Sequence, residues 1–213
     1  MDRSEFKNST LFILLGAFVA GLIGLWFGQQ YFSSGAAATR FQGKVLLYPQ
    51  PRPLAPFTLK NPDGSDLPST QFQGRWTAVF FGFSHCPDIC PTTLAQLAAV
   101  QKQLATRLPA ARQPRLLFVS VDPARDLDPK LRTYVDYFSP EILAATVEEP
   151  ALEAFTRQLG AQYIRQPPDA SGAYSVDHSG DLFLLGPDLT RRGLIRPPFD
   201  AATLAADLGA LVQ

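Results

Sequence analysis

The only two cysteines among 213 residues, Cys86 and Cys90, stand four positions apart in Phe81-Gly82-Phe83-Ser84-His85-Cys86-Pro87-Asp88-Ile89-Cys90-Pro91. Paired thiols at this spacing admit three chemistries. A dithiol can exchange with disulfides, which would make Cys86 and Cys90 a redox-active pair, although C-x-x-C proteins have one residue fewer between the sulfurs. One thiol can be oxidised by peroxide and resolved by the other. Or both thiolates can bind a soft metal.

A third metal ligand must come from the two histidines, His85 and His178. His85 adjoins Cys86, and neighbouring side chains in an extended segment point apart, so it is a poor partner. His178 lies in Tyr174-Ser175-Val176-Asp177-His178-Ser179-Gly180, just ahead of the apolar run Leu182-Phe183-Leu184-Leu185. The preceding Pro167-Pro168-Asp169-Ala170-Ser171-Gly172 reads as a hairpin loop able to carry it over the cysteines. A Cys-Cys-His set suits three-coordinate copper(I), because thiolates select soft metals. Structural zinc wants a fourth ligand, for which only a carboxylate such as Asp88 or Asp177 is at hand. An open three-ligand site is better suited to handing a metal on than to keeping it.

The elements that must position these groups follow from pattern. Thr77 to Phe83 is apolar almost throughout, as in a strand buried on both faces. Beyond the cysteines, Leu94, Leu97, Leu104 and Leu108 recur at helical spacing. Pro91 suits a first helical position, which makes Cys90 the N-cap and turns its thiol toward the positive end of the helix, lowering its pKa. Arg115 to Val121 is a second buried strand, and Asp128-Pro129 opens a helix over Leu131, Tyr134, Val135 and Phe138. Glu149-Pro150 opens another, closed by Gly160. Strands at 181–185 and 193–196 and a final helix capped by Asp200 complete the series. Ahead of them, Phe57-Thr58-Leu59 and Asp66-Leu67 form a hairpin turning at Asp63-Gly64. This order predicts a single α/β domain, thioredoxin-like, its mixed sheet flanked by helices. In such sheets functional groups gather beyond the carboxyl ends of the strands, where the cysteines fall.

The balance of 19 basic and 19 acidic residues, without a basic stripe, excludes a nucleic-acid footprint. Residues 11–28 carry no charge, and 18 residues at ~1.5 Å rise give ~27 Å, near the ~30 Å of a bilayer core. We read them as one transmembrane anchor behind a short cytoplasmic segment, residues 1–10, with Arg3 and Lys7 favouring that orientation. A cleaved signal peptide ending at Ala36-Ala37-Ala38 is the competing reading. Lacking an Arg- and Ser-rich presequence, the segment suits a bacterial plasma membrane with the soluble domain in the periplasm. Residues 29–53 read as a linker and 54–213 as the soluble domain. Gly24-x-x-x-Gly28 has the spacing of a helix-pairing motif, but glycine is common in such spans.

Three motifs in order, Phe81 to Pro91, Ser120-Val121-Asp122-Pro123-Ala124-Arg125-Asp126, and Val176-Asp177-His178-Ser179, resemble the Sco (SenC/PrrC) family from about Pro53 to Val212. The resemblance implies a membrane-tethered, thioredoxin-like copper metallochaperone. It implies Cys86, Cys90 and His178 as ligands for copper(I) and copper(II), and other copper chaperones as partners. Its target would be the binuclear copper centre of cytochrome c oxidase subunit II, either as recipient of copper or as a dithiol to be reduced. On that reading the chain is a carrier rather than a turnover enzyme. Asp122, Arg125 and Asp126 are expected either to border the site or to brace their own turn, and Asp88 to support the metal ligands from outside or recognise a partner, as the family implies, or to be an ordinary loop acid. A peroxiredoxin would carry threonine where Phe83 stands, which counts against peroxidase chemistry.

Overall fold

The structure, a computed structural model, describes residues 16–26, 28, 41–126 and 129–212. The chain divides into two units at Arg40/Phe41. In the first, residues 16–26 are helical, and among the described residues no helix is long and apolar enough to cross a membrane. The rest of the expected anchor, the segment 1–10, Ala36 to Ala38, residues 29–40 of the expected linker, and Asp128 lie outside the described residues.

The second unit is built on a six-stranded sheet in the order β1-β10-β9-β4-β5-β6. These strands are β1 (Val45–Pro53), β4 (Thr77–Gly82), β5 (Arg115–Ser120), β6 (Leu143–Ala145), β9 (Leu182–Leu185) and β10 (Thr190–Ile195). Strands β4, β5 and β6 run parallel, whereas β9 is antiparallel to β4 and β10 to β9. Two small hairpins form sheets of their own: β2 (Thr58–Lys60) with β3 (Asp66–Pro68), bridged by Lys60 to Thr146 just past β6, and β7 (Tyr163–Arg165) with β8 (Val176–His178). This is the mixed sheet flanked by helices of a thioredoxin-like fold.

Strand β4 is buried at every position because helices or hairpins cover both faces of the sheet. On one face Ala78 and Phe80 meet α1 (Ile89–Arg107), α3 (Lys130–Phe138) and α5 (Ala201–Ala210) through Leu94, Leu97, Leu131, Val135, Leu204 and Leu208. On the other, Val79 and Phe81 meet Leu59, Leu67, Phe72, Val176 and the apolar side of α4 (Ala151–Leu159). A four-residue helix, α2 (Pro123–Asp126), follows β5 directly. Asp200 caps α5, accepting from the Thr203 N–H at 2.9 Å, and Gly160 ends α4 at φ 79°, a left-handed conformation that costs glycine little.

The structure corrects three sequence readings. Residues 45–53 are not linker but the edge strand β1, paired to β10 with a register break between Leu47 and Arg52. Helix α3 begins at Lys130, with Pro129 in the N-cap position rather than at the first helical position. Strand β10 starts at Thr190, three residues before the expected Gly193.

Candidate metal centre

Parallel strands β4 and β5 end side by side, Gly82 opposite Ser120, and the site forms just past them. The chain leaves β4 through a turn in which the Cys86 N–H donates to the Phe83 carbonyl at 3.2 Å. It enters α1 at Ile89 with Asp88 in the N-cap position, making no side-chain cap bond. Cys90 is therefore the second residue of the helix, not its cap, and Pro91 the third. The first N–H groups of a helix have no intrahelical acceptor, so a proline anywhere in the first turn loses nothing there.

The cysteine loop is held from below by Asp126. Its carboxylate, wholly buried, accepts from the Ser84 N–H at 2.9 Å and from the hydroxyls of Ser84 and Ser120. Gly82 lies so close under Cys90 that a Cβ there would meet the sulfur at 2.6 Å and Phe118 at 2.8 Å.

The third group arrives on β8. Its pairing with β7 sets His178 opposite Tyr163, and the Ser179 N–H donates to the Gln162 carbonyl at 3.0 Å. The connecting loop is organised by Asp169, whose carboxylate accepts from the N–H groups of Ser171 and Ala173 at 2.8 and 3.0 Å. The imidazole stands edge-on to Phe80 and Phe83, each 6.0 Å away between centroids. His178 Nδ1 lies 3.1 Å from the Ser179 carbonyl, which can only accept, so Nδ1 carries the proton. Nε2 then presents a lone pair to Cys90 Sγ at 3.3 Å.

One ligand atom from each of Cys86, Cys90 and His178 falls within 4.8 Å of the other two. Cys90 is buried, Cys86 half-buried, and both are free thiols. His85 stays outside the group, its Nδ1 beside the Ser84 hydroxyl at 2.9 Å. Asp177 is exposed and takes the Gln166 amide at 2.5 Å, and Asp88 is exposed too, so neither adds a fourth ligand. Asp122 and Asp126 turn inward to neighbouring side chains, which makes them supports rather than ligands.

Burial sets the electrostatics. Desolvation pushes the Cys90 thiol up, far above the ordinary thiol range, and the nearby Cys86 and Asp126 charges add to the shift. The expected lowering by the helix end does not occur, since burying the thiolate costs more than the backbone hydrogen bond from Phe83 returns. Burial also lowers the His178 pKa, which favours the neutral imidazole a metal needs. Sequence reasoning brought Asp126 to the neighbourhood of the site but overlooked Ser84 and Ser120 as its partners, and overlooked the edge-to-face contacts of Phe80 and Phe83 with His178. The only signal for the former was the proximity of Asp126 to the end of a buried strand.

The sequence model of the SCO1/SenC family matches residues 48–213. A Stutzerimonas stutzeri protein named for copper binding is 37% identical over 159 residues, covering 74% of this chain and 76% of its own length. The mitochondrial SCO2 homolog of Bos taurus is 36% identical over 132 residues, covering 62% of this chain and 49% of its own. The chain thus spans about half the length of that mitochondrial relative. Among solved structures, copper-bound ScoI of Arabidopsis thaliana superposes with TM-score 0.66 at 30% identity, covering 73% of this chain and 94% of its own. Apo Sco1 of Thermus thermophilus gives 0.67 at 32%, covering 80% and 98%. With its fold matched and the family model spanning more than three quarters of its length, the chain belongs to the SCO1/SenC family.

Proposed function

We propose that the chain is a copper carrier, binding one ion through Cys86, Cys90 and His178 and delivering it to the binuclear copper centre of cytochrome c oxidase subunit II. One observation carries this reading: two thiols and an imidazole lone pair, borne on separate elements, converge within 4.8 Å. The donor set fits the ion. Two sulfurs and one nitrogen match copper(I), while copper(II), which favours tetragonal geometry, would take a further donor from solvent. The Ser179 carbonyl on Nδ1 is the outer partner that fixes a metal-binding histidine in one tautomer. Copper is cargo here. Three ligands leave room for an incoming thiolate of a recipient, and exchange of ligands one at a time avoids free copper.

Family membership and the copper-bound Arabidopsis relative support the assignment. We further assign residues 11–28 as a membrane tether placing the domain in the periplasm of a bacterium, on the strength of their uncharged sequence. A periplasm-dependent reporter fused after Arg40 should be active, and an inactive fusion would count against the tether's orientation.

The second reading is dithiol exchange with the cysteines of the same oxidase site. It rests on two free thiols within 4.8 Å of each other. The two readings separate in one experiment. Full-length protein, either copper-loaded or reduced and copper-free, is mixed with the copper domain of subunit II in its reduced or its disulfide form. Carrier function predicts that copper is found on the recipient after the two proteins are separated, and only with loaded protein and reduced recipient. Loss of the recipient's disulfide with copper-free protein, and no copper transfer from loaded protein, would favour the reductase instead.

A further inference from the structure

Neither half of the metal centre holds itself in place relative to the other. The cysteine loop continues β4, in the middle of the main sheet, whereas His178 ends a hairpin whose two strands pair only with each other. Both halves are tied to a single turn, Asp122 to Asp126, at the end of β5. From one end of that turn Asp126 holds Ser84, two residues before Cys86. From the other, Asp122 and Arg125 hold Tyr174, four residues before His178.

Tyr174 is held at three points. Its ring lies 3.7 Å from the Arg125 guanidinium carbon, its carbonyl accepts from Arg125 Nη1 at 3.0 Å, and its hydroxyl donates to Asp122 Oδ1 at 2.9 Å. Asp122 is wholly buried and pairs with Arg125 Nε, so the arginine is fixed before it touches the tyrosine. The same guanidinium carbon also lies 5.6 Å from the ring centroid of Phe83. Phe83 in turn lies against the His178 imidazole. Arg165 flanks the cluster from β7, 3.6 Å from Asp122 and 5.3 Å from the Tyr174 ring. A planar guanidinium can stack and donate along its edge at once, which an ammonium cannot.

We propose that Arg125 is a positioning residue for the metal centre: by binding Tyr174 and facing Phe83 it holds the β7–β8 hairpin so that His178 Nε2 lies over Cys90. The turn acts as a bracket whose two ends set the spacing between the sulfur pair and the nitrogen. This rests on the reading of Cys86, Cys90 and His178 as copper ligands, but the bracket itself is a property of the metal-free protein and can be tested there.

The test uses full-length protein carrying Arg125→Ala, with Tyr174→Phe as the milder variant that keeps the ring and removes only its hydroxyl. In the metal-free reduced state, the His178 ring resonances report its edge-to-face contacts with Phe80 and Phe83. They should shift and broaden in Arg125→Ala and move less in Tyr174→Phe. Copper(I) affinity, measured by competition with a chromophoric chelator, should fall by about 10- to 100-fold in Arg125→Ala, the scale for losing an outer partner of a ligand. The discriminating measurement is the double variant. If Arg125 acts through His178, adding Arg125→Ala to His178→Ala lowers affinity no further. Unchanged His178 resonances in both single variants overturn the bracket whatever copper does. So does an equal loss of affinity with and without His178, which would mean a general destabilisation. If His178→Ala alone leaves copper affinity unchanged, the ligand assignment fails, and the metal-free resonances still decide the bracket.

Discussion

The two limbs of the site differ in what holds them. The cysteine limb grows out of β4, a central strand buried at all six positions, and rests on a buried carboxylate and on a glycine with no space above it. The histidine limb is a three-residue-per-strand hairpin outside the main sheet, with Ile164 64% exposed and only Val176 buried among its paired residues. Segments with few buried apolar contacts open at lower free energy than core strands. On the proposed carrier function, the sulfurs would be the fixed ligands and His178, held through the Arg125 bracket, the more readily released one.

The contrast predicts unequal responses to substitution. Cys90→Ser should cost the most, reducing copper(I) affinity by more than the ~100-fold typical of losing an outer partner, because it removes a ligand itself. Chelator competition checks this, and near-normal affinity would break the assignment of the buried sulfur. Next in size is Asp126→Ala. It strands the Ser84 N–H and two hydroxyls, each costing about 1–3 kcal/mol if left unsatisfied and buried, with water entering to offset part of the sum. Denaturant unfolding should show a loss of about 2–4 kcal/mol. A change under ~0.5 kcal/mol would mean that the cysteine limb is not braced there. Gly82→Ala should follow at about 1–3 kcal/mol, since its Cβ would press on the Cys90 sulfur and Phe118. His178→Ala, on the looser limb, should leave unfolding nearly unchanged while weakening copper(I) binding. If it destabilises the fold as much as Asp126→Ala, the two limbs are not different in kind.

Proton linkage gives a smaller and graded effect. Burial raises the Cys90 thiol, so copper binding must displace its proton, and burial lowers His178, so the imidazole releases none near neutrality. Apparent copper(I) affinity should therefore rise with pH, about tenfold per unit for each proton displaced. A flat profile from pH 6 to 8 would show that the sulfur limb is already ionised.

Much of this was legible in the sequence where side-chain type alone decides the outcome. The apolar run of β4, the Asp200 cap and the Gly160 stop each follow from local physics, and each is present. So is the convergence of Cys86, Cys90 and His178, foreshadowed by the proline-bounded cysteine loop and the turn residues before β8. Edge strand β1 escaped because its prolines and exposed positions look like linker, and an edge strand needs neither a donor at every residue nor a buried face. The start of α1 was misplaced because Pro91 is as acceptable at the third helical position as at the first. The direction of the Cys90 shift was misjudged because burial depends on Phe118 and the helices around it, and that is tertiary information. Arg125 and Tyr174 stand 49 residues apart, and no local pattern links a charged turn to a tyrosine at that distance.

Copper(I) held jointly by two sulfurs and one nitrogen of this chain is the core of the proposed function. X-ray absorption of the copper(I) complex of the full-length reduced protein, compared with its His178→Ala variant, tests it most directly. A shell of two sulfurs and one nitrogen is expected in the wild type, and two sulfurs without that nitrogen in the variant. Identical shells in the two proteins, or a wild-type site with fewer than two sulfurs, would contradict it.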